Sequence, residues 1–264
     1  MYEYKYAVFD LDETLGYFTE LGIFWDSLNI AMKHKLTQHH FNKICDLFQE
    51  FFRPGIFSII SFLLRKKHAS KRIKLLIYTN NQAPKEWTHK IKTYIEYRMN
   101  NKIFDQVICA FKVKGERIEM CRTTHSKTYK DLMRCTKASK HSTFIFLDDQ
   151  YHNKMRNEYV HYINVKPYSY HISFNDMINR FVKSEMGKSL VKPTDHDSFK
   201  LSMIKEMKRY GFKVLIKDDN DLAVDKAVTK KMMIHLQNFF ISAKKRHTRK
   251  NRHRSHRVSK KNRS

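Results

Sequence analysis

Five short runs of β-forming, mostly apolar residues punctuate the chain: Tyr4–Phe9 (YKYAVF), Ile73–Tyr78 (IKLLIY), Gln106–Ala110 (QVICA), Thr143–Leu147 (TFIFL) and Val160–Val165 (VHYINV). Each has the length and composition of a strand buried in a sheet. Between them apolar positions recur every three or four residues, as at Phe41, Ile44, Phe48, Phe51 and Phe52, and again at Trp87, Ile91, Tyr94 and Ile95. That period predicts amphipathic helices, the second with Pro84 in its first turn, where a missing N–H breaks no helical bond. Strands separated by helices pair in parallel through right-handed crossovers, so the pattern predicts an α/β domain of three layers around a parallel central sheet. The domain should close near residue 182, after a helix opening around Ser173-Phe174-Asn175.

Residues 183–195 (KSEMGKSLVKPTD), punctuated by Gly187 and Pro193, read as a connector. A small α+β appendage over 196–243 follows: a helix from about Ser198 to Tyr210, a strand Phe212–Ile216, an acidic turn, and a helix from about Val228 to Ser242. It is too short for a core of its own and is expected to pack on the domain formed by 1–182. Within that domain, residues 16–52 are long and helical enough either to shape the site entrance, with Gly16 as a hinge, or to pack as accessory helices.

Charge changes the picture at the C-terminus. Residues 244–264 hold 11 Lys/Arg and no acid, the composition of a disordered basic tail. The whole chain of 264 residues carries +26, which leaves +15 on 1–243, so the body is basic in its own right. Such a balance favours polyanionic partners: nucleic acid, anionic membrane or phosphorylated protein. The tail suits sequence-independent nucleic-acid binding, since no aromatic interleaves its basic residues; a nuclear address and simple solubilisation are its other readings.

Apolar residues at 41% and aromatics at 13% exclude a wholly disordered protein. The opening MYEYKYAVFDLDETL has acids where a signal peptide needs an apolar core. The longest apolar stretch, Ile56–Leu64, contains two serines and falls far short of the roughly 20 residues of a membrane span. A soluble, intracellular, unsecreted monomer is expected. Cys45, Cys109, Cys121 and Cys135 lack CxxC pairing, which suits a reducing compartment and core thiols.

Candidate chemistry begins at residues 7–15, AVFDLDETL, where a hydrophobic strand runs straight into Asp10 and Asp12. Ligands of an open parallel sheet bind outside the carboxyl ends of its strands. Two further strand ends agree: LLIYT delivers Thr79, followed by Asn80-Asn81, and FIFLDDQ delivers Asp148-Asp149. Each alone could be a capping turn. Four carboxylates gathered at one edge repel one another unless a cation and basic groups neutralise them, and oxygen ligands select Mg²⁺ over a soft metal. Other clusters have plainer readings. His39-His40 face different ways on a helix, Asp195-His196-Asp197 is a helix start, and Asp218-Asp219-Asn220-Asp221 lacks the glycine of a calcium loop. Trp25 and Trp87 serve packing or a groove.

The set Asp10-x-Asp12-x-Thr14, Thr79 and Asp148-Asp149 resembles the haloacid dehalogenase superfamily of aspartate-dependent phosphohydrolases. FDLDETL, followed by Arg53-Pro54-Gly55 ahead of a helix, is similar to the phosphatases of the RNA polymerase II C-terminal domain and NLI-interacting-factor type. Tyr129-Lys130-Asp131-Leu132 resembles their lysine motif, and the likeness spans roughly residues 5–165. The resemblance implies a Rossmann-like core. It also implies a nucleophile at Asp10, an acid/base at Asp12 whose backbone carbonyl binds Mg²⁺, and phosphoryl contacts from Thr79, Asn80 and Lys130. Asp149 would be a direct metal ligand, with Asp148 in support. Lys112, Lys114 and Lys127 rival Lys130, and Lys114, Arg117 or Arg122 could supply the family's additional phosphate-binding arginine. Gln150 departs from the serine frequent there. The resemblance implies a phosphoserine/phosphothreonine protein as substrate. A nucleic-acid end phosphatase and an inactive nucleic-acid-binding scaffold are the alternatives. The Lys/Asn/Ile-heavy body with its KKRHTRK terminus also resembles proteins encoded by large DNA viruses.

Overall fold

The computed structural model describes residues 3–32, 35–211 and 217–261, with side chains through Ile241. In chain order its elements are β1 (Lys5–Phe9), α1 (Thr19–Ala31), α2 (Gln38–Leu47), α3 (Ile56–Ala69), β2 (Ile73–Tyr78), α4 (Lys85–Arg98) and β3 (Gln106–Ile108). The hairpin strands β4 (Lys112–Val113) and β5 (Glu116–Arg117) follow, then α5 (Tyr129–Thr136), β6 (Thr143–Asp148) and β7 (Val160–Asn164). The chain continues through α6 (Phe174–Lys183), α7 (Glu185–Leu190), α8 (His196–Lys208) and α9 (Asp219–Lys261).

The five predicted strands form one parallel sheet in the order β3-β2-β1-β6-β7, giving a Rossmann-like three-layer α/β fold. β1 is central, with Lys5 level with Ile73 and Thr143 at one end, and Phe9 level with Ile77 and Leu147 at the other. Alternation along the strands sorts their side chains between two cores. Ala7, Phe9, Leu75, Ile77, Ile145 and Leu147 face the larger core, while Tyr6, Val8, Leu76, Tyr78, Phe144 and Phe146 face the smaller. Both faces being buried explains why the strands read as mostly apolar runs.

Handedness sets which helices cover which face. The chain steps from β1 to β2 to β3 in one direction and then returns across β1 to β6 and β7 in the other. Right-handed crossovers in opposite directions fall on opposite faces. Accordingly, helices α1 to α4 build the larger core, and α5 covers the other face with Leu132 and Cys135.

The C-terminal unit joins the larger core: Phe199, Met203 and Met207 of α8 and Met232, Leu236 and Phe240 of α9 are buried in it. The connector is not extended chain, because Ser184 accepts a bond from the Gly187 N–H (3.0 Å) and caps the short helix α7. The acidic turn at 218–221 is likewise the start of α9, with Asp218 accepting from the Asp221 N–H at 2.8 Å; acids there suit the helix dipole. The strand expected over Phe212–Ile216 lies outside the described residues; the backbone of the tail expected to be disordered, 244–264, instead continues α9 through Lys261, its side chains lying outside the described residues.

Three local expectations change. Helix α2 ends at Leu47, and a 3₁₀ turn (Gln49–Phe51) then carries Phe51 into the core. Segment 16–52 packs as accessory helices, with Phe24, Trp25, Phe41 and Phe48 all buried. Gly16 is a point of close approach there, since a Cβ would lie 2.5 Å from the Phe51 carbonyl oxygen. Finally, Cys121 and Cys135 form a disulfide that links the loop before α5 to that helix, while Cys45 and Cys109 are buried free thiols. Trp25 and Trp87 both pack edge-on against Phe41. No helix among the described residues is long and apolar enough to cross a membrane.

Candidate active site at the carboxyl edge of the sheet

The strand order reverses at β1, and ligands of such sheets bind beyond the carboxyl ends of the strands at that point, here β1 and β6. Asp10 leaves β1 there, its N–H bonded to the Leu147 carbonyl (2.9 Å). Asp148, the last residue of β6, is fully buried beside it. Between the two carboxylates stands Lys127, 2% exposed, whose Nζ donates to Asp10 Oδ1 and to Asp148 Oδ2 (2.6 Å).

The expected lysine was Lys130, and the structure places it elsewhere. Thr128 caps α5 by accepting from the Asp131 N–H (3.0 Å), so the helix begins at Tyr129. Helical rotation then buries Asp131, Leu132 and Cys135 and leaves Lys130 exposed. Lys127, one residue before the cap, remains on the extended approach to the strand ends.

Electrostatics follow from burial and from this lysine. Burial raises the Asp10 carboxyl well above the usual range, Lys127 opposes the rise, and Asp148 and Asp12 reinforce it. For Asp148 burial also pushes upward, but Lys127 and His152, whose Nε2 is 3.4 Å away, win and hold it below the usual value. Burial depresses the Lys127 ammonium, yet the two carboxylates raise it above an ordinary lysine, so it stays charged.

Asp149 is the third member of the cluster: one carboxylate oxygen each from Asp10, Asp148 and Asp149 lie within 4.8 Å of one another. Thr14 ties it to the loop that follows β1, its Oγ1 donating to Asp149 Oδ1 and accepting from the Asp149 N–H, both at 3.1 Å. Asp12 stands outside this cluster. Its Oδ2 accepts from Asn81 Nδ2 at 2.7 Å, and burial raises its carboxyl while that bond lowers it.

Thr79 directly follows β2, buried, with its Oγ1 accepting from the Asn81 N–H at 3.0 Å. Asn81 thus links Thr79 to Asp12, whereas Asn80, the expected substrate contact, accepts from Arg122 Nη2 at 2.8 Å. Arg122 is fully buried and also donates to the carbonyls of Thr79 (3.1 Å), Cys109 (2.8 Å) and His125 (2.9 Å). It fastens the ends of β2 and β3 to the loop that carries Lys127, so its guanidinium is spent on the scaffold. Lys114 and Arg117 lie on the β4–β5 hairpin, whose turn places Lys114 and Gly115 at φ 49° and 87°, the pairing of a two-residue hairpin turn.

Arg53 sets the far wall of the loop that follows β1. It is 1% exposed and donates to the carbonyls of Glu13 (2.6 Å), Thr14 (2.7 Å) and Lys166 (2.8 Å). Burial lowers this guanidinium to about 10, still charged at neutral pH. Glu13 sits at φ 58°, a conformation these carbonyl bonds hold in place. On the other side, Gln150 and Asn164 brace the acidic pair: the Gln150 N–H donates to Asp148 Oδ1 (2.8 Å), and Asn164 Nδ2 donates to the Asp149 carbonyl (2.9 Å).

The sequence favours Lys130 over Lys127 and gives no role to Asn81 or His152. The cap signal Thr128-x-x-Asp131, readable in the sequence, would have separated the two lysines. No family model, curated protein or solved structure matches the chain.

Proposed function

We propose that this chain is a Mg²⁺-dependent phosphomonoester hydrolase that works through an aspartyl-phosphate on Asp10. The observation that carries the reading is the shared lysine: a buried ammonium holds two carboxylates from adjacent strand ends, with a third carboxylate in the same cluster. The three aspartates fit a hard divalent cation, because their donors are all oxygen and lie close enough for one ion. When bound, the cation would neutralise carboxylate charge and polarise a phosphoryl oxygen.

The chain's own residues would do the rest. Lys127 holds Asp10 Oδ1, which leaves Oδ2 as the oxygen for attack on phosphorus. As the P–O bond to the leaving group breaks, Asp12 supplies its proton. The bond from Asn81 fixes that carboxyl, and its burial favours the protonated form. Asp12 then takes a proton from the water that attacks the phosphorus, releasing phosphate and restoring Asp10. Lys127 offsets charge on the phosphoryl group throughout, and Thr79 lines the adjacent strand end.

Phosphoserine or phosphothreonine on a protein is the proposed substrate class, by the resemblance of FDLDETL and Arg53-Pro54-Gly55. Purified protein should turn over an aryl phosphate and a phosphoserine peptide only with Mg²⁺, and Asp10→Asn should abolish both while circular dichroism still shows a folded chain. Turnover by Asp10→Asn would overturn the nucleophile assignment. Preference for a 3′-phosphorylated oligonucleotide over the peptide would overturn the substrate class.

A further inference from the structure

Glu13, the residue after Asp12, holds a left-handed backbone at φ 58°. A residue other than glycine stays there only where its surroundings over-determine it. Its carbonyl accepts from both Arg53 Nη2 (2.6 Å) and the Tyr168 N–H (2.8 Å), and its own N–H donates to the Gly16 carbonyl (2.7 Å). Arg53 also holds the next two carbonyls, Thr14 through Nε (2.7 Å) and Leu15 through its backbone N–H (3.0 Å). Asp12, which precedes this segment, and Thr14, which donates to Asp149, therefore take their places from Arg53 and Tyr168.

Those two residues are in turn covered by the start of α9. Two cations lie against the Tyr168 ring, the Arg53 guanidinium 5.4 Å and Lys217 Nζ 5.0 Å from its centroid. Like charges at one buried ring call for a counter-charge. Asp225, 1% exposed on the second turn of α9, supplies it, its Oδ2 accepting from Lys217 Nζ at 2.5 Å. The side-chain bonds of Arg53 go to carbonyls, not to a carboxylate. Burial pulls its guanidinium down, and the Asp225 charge is the strongest of those holding it up. One turn further on, Thr229 donates to the Asp225 carbonyl (3.1 Å), and its methyl lies 3.2 Å from where a Cβ would stand on Gly55. Helix α9 thus also bears on the turn Arg53-Pro54-Gly55.

We infer that Asp225 is a positioning residue of the carboxylate site, acting through Arg53 and Tyr168 to hold Glu13 and Thr14, and with them Asp12 and Asp149, in place. The start of α9 is on this reading a working part of the site and not only a cover for the larger core. Neutralising Asp225 leaves the Arg53 charge without its strongest support, so the guanidinium holds the Glu13 and Thr14 carbonyls less firmly and the left-handed Glu13 relaxes more often. A shift of about 1 Å at reacting groups costs up to about 100-fold in rate, so loosening of this loop reaches the chemistry.

The test is amide hydrogen exchange of the full-length chain, read by mass spectrometry, on Asp225→Asn, which keeps the shape of the side chain and removes its charge. Exchange over residues 13–17 should rise by roughly 2- to 30-fold, the span of residues that act on a site through others, while β2 and β6 keep their protection. On a small aryl phosphate kcat should fall within the same span with KM unchanged. Leu236→Ala is the control: it removes core packing from the same helix and should lower the melt without the change over 13–17 or in kcat. Should Asp225→Asn not fold, Thr229→Ala cuts the contact on Gly55 and should raise the same exchange. Exchange over 13–17 left unchanged, or raised as much by Leu236→Ala, would overturn the role of Asp225, as would unchanged turnover by Asp225→Asn in an active enzyme. The kinetic arm alone rests on the phosphatase reading. A wild-type chain that turns over no phosphoester would end that reading and leave the exchange to decide the role of Asp225.

Discussion

Replacing Lys127 with methionine tests the electrostatic centre of the molecule most directly. The side chain is 2% exposed, and its ammonium is shared by Asp10 and Asp148. Methionine keeps much of the stem's volume but leaves two buried carboxylates without their counter-charge. Removing one partner of a buried ion pair costs about 3–5 kcal/mol, a fall on the order of 10 °C in melting midpoint for a chain of this size. Protonation of Asp10 limits the loss, because burial already raises its carboxyl.

The same interaction gives the variant a pH signature. Asp148, held low by Lys127 and His152 against its burial, stabilises the fold above its ordinary pKa, and that contribution is lost as pH falls through its depressed folded value. Lys127, raised by the two carboxylates against its burial, contributes fully below the ordinary lysine value and loses that contribution as pH rises through its raised one. The gap between wild type and Lys127→Met should therefore be widest around neutrality and narrow toward acid. Urea unfolding across this range, without added metal, measures it. Lys130→Met, on the exposed side of α5, should stay within about 0.5 kcal/mol. A Lys127→Met loss below about 1 kcal/mol, or equal losses at the two lysines, would refute the assignment.

Two further expectations concern the frame around the site. Cys121 and Cys135 are 14 residues apart, and a closed loop of that length is worth about 3 kcal/mol; reductant or Cys121→Ser should lower the melt accordingly, while identical melts with and without reductant would count against the link. Gly16→Ala sets a Cβ 2.5 Å from a backbone oxygen of Phe51, which cannot swing aside as a side chain could. Overpacking of this kind costs about 1–3 kcal/mol, read by urea titration, and an unchanged midpoint would show that the loop yields.

The centre of the sheet was legible because β1, β2 and β6 are largely buried on both faces, so each survives as a compact apolar run in the sequence. β1, β2, β6 and β7 fall within one residue of their expected bounds, and β3 stops two residues early, where Arg122 takes the Cys109 carbonyl. Asp10, Asp148, Asp149 and Thr79 were legible for a related reason: each directly follows or ends a strand, so its position is fixed by the strand itself. Residues that act through loops were not. Asn81 and Asn80 are neighbours of the same type, and only the turn after β2 decides which meets Asp12 and which meets Arg122. The disulfide joins cysteines with no spacing motif because a loop and a helix happen to converge.

The lysine shows where local and global information must meet. The return step from β3 to β6 crosses β1 in the direction opposite to the first two, so a right-handed connection must lie on the face that α1 to α4 leave free. A helix on that face is entered from the carboxyl edge of the sheet, and the chain entering it passes the ends of β1 and β6. Any long cation just before that helix is delivered to Asp10 and Asp148; one just after its start is turned by the helix itself. Thr128 fixes the start. Topology thus determines that a lysine reaches the carboxylates, and a single capping hydroxyl determines that it is Lys127.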